Sequence, residues 1–107
     1  MSSGHVAILT VELHFPEAGS LKAKRHHLRS ARDQLRNRFG ASVAEVDHQD
    51  LWQRARLTAA FAASGHHELG QLLDAAERYL GSREFELVRV LAQQSTKELT
   101  TSRSSGL

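Results

Sequence analysis

Apolar and polar positions alternate along residues 5–15, HVAILTVELHF. Ala7, Leu9, Val11, Leu13 and Phe15 fall on one side and Val6, Ile8, Thr10, Glu12 and His14 on the other, the period of a half-buried strand. Pro16 ends it, and residues 17–19 form a turn. The period then lengthens. Within 20–39, SLKAKRHHLRSARDQLRNRF, Leu21, Leu28, Leu35 and Phe39 recur at seven, seven and four residues. That spacing puts them on one face of a helix, with Ala31 at its edge. Ser20 stands at the N-cap, where its hydroxyl meets the free amides of the first turn, and Gly40 stands at the closing C′ position. Residues 41–46, ASVAEV, read as a second strand. The polar DHQD follows, and then 51–65, LWQRARLTAAFAASG, alternates again. Leu51, Ala55, Leu57, Ala59 and Phe61 share one parity; Trp52, Arg54, Arg56 and Thr58 share the other. Two strands around a polar loop near Asp47–Asp50 predict an antiparallel hairpin. Ser64 caps a second helix over 65–80, with Leu69, Leu72, Leu73, Ala76 and Leu80 as its stripe and Gly81 as its stop. Residues 84–92, EFELVRVLA, make a last strand, and 93–107 read as a polar, flexible tail.

The order β-α-β-β-α-β is the split βαβ pattern. Right-handed crossovers place both helices on one face of a four-stranded antiparallel sheet, with the first and third strands central. The expected fold class is therefore α/β, a ferredoxin-like sandwich, with one domain over 1–92 followed by the tail. A chain of 107 residues can bury roughly 60–70% of its unfolded surface, enough for a core without staples.

Charge changes this picture more than composition does. The formal net charge is only +2, but it is segregated. Residues 1–40 hold seven basic and three acidic side chains, a net of +4, and residues 41–107 hold seven and nine, a net of −2. On the first helix Lys22, Arg25, Arg29, Arg32 and Arg36 recur at three, four, three and four. At ~100° per residue they form a single band beside the apolar stripe. A basic row flanking a buried seam is placed to meet a polyanion. Lys24 and Arg38 add further charge to the same segment.

Other chemistry is thin. There is no cysteine, which removes disulfides, thiol catalysis and cysteine-ligated zinc and fits a reducing compartment. The opening residues MSSGHV have no basic stretch followed by an apolar run, so they read as no signal peptide, and no apolar run approaches the ~20 residues of a membrane span. A cytoplasmic protein is expected. Asp47, His48 and Asp50, with Glu45 nearby, are weak candidates for a metal or an acid–base pair, since such residues commonly make turn hydrogen bonds. The adjacent pairs His26–His27 and His66–His67 point to different sides of a helix. No HExxH, P-loop, GxGxxG or nucleophile elbow occurs. No cofactor is implied, and nothing positive points to an enzyme. The open sheet face would carry Val6, Ile8, Thr10, Glu12 and His14 beside Trp52, Arg54, Arg56 and Thr58. It lacks the aromatic pattern of RNA-recognition sheets, Trp52 being its one platform.

Residues 20–55, SLKAKRHHLRSARDQLRNRFGASVAEVDHQDLWQRA, resemble the YlxP family of small bacterial proteins of unassigned biochemical activity. The family pattern runs approximately SLKEKR, a basic helix ending in RF, then VSVAEV-x-HQD-x-WQR, and the likeness extends more loosely from Val6 to about Leu91. The resemblance implies a ferredoxin-like fold. It also implies a gene neighbourhood with translation initiation factor two and ribosome-binding factor A, hence a role in ribosome assembly or translation. Ala23 replaces the family's glutamate, removing the reciprocal half of a capping box, and the tail exceeds the family's usual length. The first functional expectation is a non-catalytic RNA-binding or ribosome-associated protein. Its phosphate contacts would be Lys22, Arg25, Arg29, Arg32 and Arg36, with Arg54 and Arg56 secondary, and its partner ribosomal RNA or a ribosomal subunit. The alternative is an interaction module or homodimer using Val6, Ile8, Trp52 and Gln53. A metal-dependent enzyme at 45–50 stands third.

Overall fold

A computed structural model describes residues 4–16, 18–48, 50–81 and 86–95, the last segment as backbone only. The chain is a mixed α/β protein, with two helices and an antiparallel sheet among the described residues. Its elements are β1 (His5–His14), α1 (Leu21–Phe39), β2 (Ser42–Asp47), β3 (Arg54–Ala63), α2 (His66–Gly81) and β4 (Glu86–Ser95). The strands pair in the order β2-β3-β1-β4, each antiparallel to its neighbour. β4 runs three residues past the strand end expected at 92, since Gln93, Gln94 and Ser95 pair with Ile8, Ala7 and Val6. The expected tail from 96 onward, the start of the last strand at 84–85, residues 1–3 and Glu17 lie outside the described residues.

Alternation in β1 and β3 sets the core. Ala7, Leu9, Val11 and Leu13 lie directly opposite Phe61, Ala59, Leu57 and Ala55, and all eight are buried. The side chains of Leu28, Ala31 and Leu35 from α1 and Leu69, Leu73, Ala76 and Leu80 from α2 close over the same cluster. Apolar burial drives this, each fully buried Leu or Phe contributing about 1.5–3 kcal/mol.

The seam of α1 differs from the expected one. Its buried positions are Lys24, Leu28, Ala31 and Leu35, spaced four, three and four, whereas Leu21 and Phe39 are only half-buried. A lysine therefore occupies the first core position of the helix. The caps are as expected: Ser20 Oγ accepts from the Ala23 amide at 3.1 Å. At the other end Gly40 takes a left-handed φ of 69° while its amide donates to Arg36 O. A Cβ there meets no neighbour, so the cost of substitution is conformational. Gly40→Ala is expected to lower stability by about 1–2 kcal/mol, read as a shift in urea midpoint with unchanged slope.

Candidate nucleic-acid interface

The outer side of α1 carries the basic row. Lys22, Arg25, Arg29 and Arg36 are exposed and Arg32 is half-buried. Lys22, Arg25, His26 and Arg29 line a groove of about 330 Å³. Helical spacing brings them together, because residues three and four apart are neighbours on the surface. Arg36 Nη2 donates to Val43 O at 3.3 Å, which ties the end of the row to β2. Nearby, the Arg38 guanidinium lies 5.5 Å from the Phe39 ring centre. The described residues of α1 hold a single acid, Asp33, so little nearby charge offsets the row.

Lys24 faces the other way. Only 1% exposed, its Nζ donates to His48 O at 2.6 Å and Leu51 O at 2.7 Å and lies 3.1 Å from Glu45 Oε2. A buried ammonium is stable only when its protons are matched by acceptors, and here two carbonyls and a carboxylate meet that need. The consequence for the chain is that the β2–β3 loop is fastened to α1. Sequence reasoning grouped Lys24 with the surface cations. The signal that separates it is its place four residues before Leu28, on the seam itself.

This fastening explains why Trp52 does not sit on the open sheet face, as strand parity predicted. β3 begins only at Arg54. His48 adopts φ 64°, the Leu51 amide closes a turn onto His48 O at 3.1 Å, and Lys24 draws the Leu51 carbonyl inward. Leu51–Gln53 thus form the rim of a loop, not ladder residues, although Gln53 O still accepts from the Phe15 amide at 2.8 Å. Gln53 Nε2 reaches Ala18 O at 3.4 Å. Trp52 is 51% exposed. Leu51, Trp52 and Gln53, with Asp50 and Arg54, line a second cavity of about 380 Å³.

The open face carries an ionic network. Glu12 is directly opposite Arg56 on β3, and its buried carboxylate accepts from Arg56 Nε. The same carboxylate lies 3.2 Å from His48 Nε2 and 3.8 Å from Arg54 Nη2. Asp47 joins through Arg56 Nη1 at 3.3 Å. A bulge makes that possible: the β2–β3 register jumps between Glu45 and Asp47, and the extra residue, Val46, brings Asp47 opposite Arg56. Thr10 and Thr58 hydroxyls meet at 3.1 Å on the same face.

These pairings redistribute the residues singled out from sequence. Arg56 is engaged by two carboxylates, whereas Arg54 meets Glu12 more loosely, at 3.8 Å, and with its side chain more than half exposed is the more accessible cation of that pair. Asp47 and His48 are drawn toward Glu12 and Arg56 while Asp50 is exposed in the loop. Among the described residues no group of three or more His, Asp or Glu is placed to hold a metal ion. Val6 and Ile8 lie opposite Ala62 and Ala60 at the far end of β1 from the loop. At ~3.3 Å per residue, Ile8 is roughly 20 Å from the His14 end, so the expected surface of Val6, Ile8, Trp52 and Gln53 divides into two separate patches.

Burial alone would raise the Glu12 carboxyl, but the hydrogen bond and charge of Arg56, with those of His48, outweigh it and hold the group below its ordinary value of 4.5. Asp47 is likewise lowered, first by the hydrogen bond from the His48 amide. A carboxyl with a depressed folded-state pKa stabilises the fold above its unfolded value, and that contribution disappears as pH falls through the lower folded value. The urea midpoint is therefore expected to fall as pH drops below about 4.5, and Glu12→Gln is expected to flatten that dependence.

The model of the family described as "Protein of unknown function (DUF503)" matches residues 6–94, from β1 through β4. The chain belongs to this family. It is also similar to the uncharacterized protein YlxP of Bacillus subtilis (strain 168), with 40% identity over 48 residues, 45% of this chain and 52% of that protein. It thus spans about half the length of the curated relative it matches. Both findings bear out the family likeness read from residues 20–55. Among the described residues of this family member, no helix is long and apolar enough to cross a membrane.

Proposed function

We propose that this chain is a cytoplasmic, non-catalytic RNA-binding protein of ferredoxin-like fold, associated with ribosomal RNA or a ribosomal subunit in assembly or translation. The strand order β2-β3-β1-β4, with both helices feeding one core, supports the fold. The observation that carries the function is the exposed row of Lys22, Arg25, Arg29 and Arg36, with Arg32 between them, alongside a buried seam. Guanidinium groups bind phosphate oxygens in a bidentate manner, and such contacts give affinity without sequence preference. Arg54 extends the positive surface beyond the helix. The gene neighbourhood implied by the family resemblance points to the same partner, as an association without a mechanism.

The test is sedimentation of the purified protein with ribosomal subunits and with free ribosomal RNA, at low and high salt. Co-sedimentation at low salt that is lost at high salt is expected. No association with either at low salt would remove the reading.

A further inference from the structure

The two cavities lie toward the same, N-terminal end of α1. Lys22 and Arg25 flank Lys24 in sequence, and Lys24 holds the Leu51 carbonyl one residue before Trp52. Gln53 secures the same loop to Ala18, two residues before the Ser20 cap. The Trp52 loop is thus fastened, through a lysine on the buried side of the helix, to the same first turns of α1 that carry the basic groove on their outer side. At the loop cavity a half-exposed indole and Leu51 supply apolar surface, with Arg54 and Asp50 as its two charged lining residues. Its volume of about 380 Å³ falls within the ~300–1,000 Å³ of small-ligand sites.

Resting on the reading of α1 as a phosphate-binding surface, we propose that the Leu51–Arg54 cavity takes an unpaired base of single-stranded RNA, stacked on Trp52. The phosphates of that strand run along Lys22, Arg25 and Arg29. Charge selects the occupant. The groove on the first turns of α1 is cationic, so the chain lying along it is a polyanion, and among polyanions a nucleic-acid single strand offers planar apolar faces at regular intervals. A duplex keeps its bases stacked inside and presents phosphates alone. The cavity therefore adds a preference for single strands that the helix by itself does not supply. The preorganised loop reduces the ordering cost of binding.

Trp52 is the single tryptophan of the chain, so its fluorescence reports the site directly. The probes are a short dye-labelled oligouridylate and the same strand annealed to oligoadenylate, each followed at low salt by anisotropy and by tryptophan emission. The single strand is expected to quench Trp52 and to bind more tightly than the duplex. Trp52→Ala is expected to weaken single-strand binding roughly 5- to 100-fold, the range of one base–aromatic stack, while leaving duplex binding unchanged. Trp52→Phe should retain most of the affinity. Salt-sensitive binding without quenching, or equal affinity for both probes in Trp52→Ala and wild type, would overturn the base site and leave the basic helix standing. No binding of either probe would overturn both.

Discussion

Replacing Lys24 with Met should destabilise the protein by about 2–4 kcal/mol, the largest effect expected of any single change at the interface. Methionine keeps the apolar stem within the seam beside Leu28 but removes the ammonium. Leu51 O then loses its lysine donor, His48 O keeps only the Leu51 amide, and Glu45 Oε2 loses the cation 3.1 Å away. Orphaned buried polar groups cost about 1–3 kcal/mol each, and breaking a buried pair about 3–5 kcal/mol. Glu45 is partly open to water, with 18% side-chain exposure, which places the expected loss toward the lower part of that combined range. Urea denaturation measures it, as a lower midpoint with unchanged slope. Trp52 emission should also shift in the folded variant, because the loop that carries the indole loses two of its hydrogen bonds. A variant as stable as wild type with an unchanged emission spectrum would show that Lys24 does not hold the loop.

The second large effect concerns binding. Arg25→Glu combined with Arg29→Glu reverses two exposed charges, and neither side chain enters the core. Hydrogen bonds to charged groups contribute about 1.5–3 kcal/mol each. Losing two at the lower figure is about 3 kcal/mol, or on the order of a hundredfold in affinity, and like-charge repulsion of the phosphates adds to it. The paired variant is preferable to one at Arg32, whose Nε is buried, since a change there also disturbs packing. Anisotropy with labelled ribosomal RNA fragments measures the loss, and urea denaturation checks that folding is intact.

Legibility of the chain followed the strength of its periodicity. β1 and β3 were readable because one face is fully apolar, so a register slip would expose Leu9, Val11, Leu57 and Phe61 together. The Ser20 and Gly40 boundaries were readable because caps need particular residue types. Lys24 was only partly so: its place four residues before Leu28 puts it on the seam, but a lysine there does not show which acceptors it will meet. Two of its three partners are backbone carbonyls of residues more than twenty positions away, which carry no side-chain signature. The Val46 bulge and the left-handed His48 were hidden for a similar reason. Each adds a residue or a turn without breaking the local polar pattern, and together they take Trp52 off the sheet and bring Asp47 to Arg56. The basic row was visible from spacing alone. Its division from Arg56, which Glu12 and Asp47 engage, required the cross-strand register.

The most direct measurement of the central claim is the salt dependence of binding to single-stranded RNA. Contacts by Lys22, Arg25, Arg29, Arg32 and Arg36 predict that log K falls with log salt at a slope of about −3.5, at ~0.7 per phosphate neutralised on single strands. In the Arg25→Glu/Arg29→Glu variant the slope should shrink by more than 1. A slope near zero, or one that the double reversal leaves unchanged, would contradict the assignment of α1 as the phosphate-binding surface.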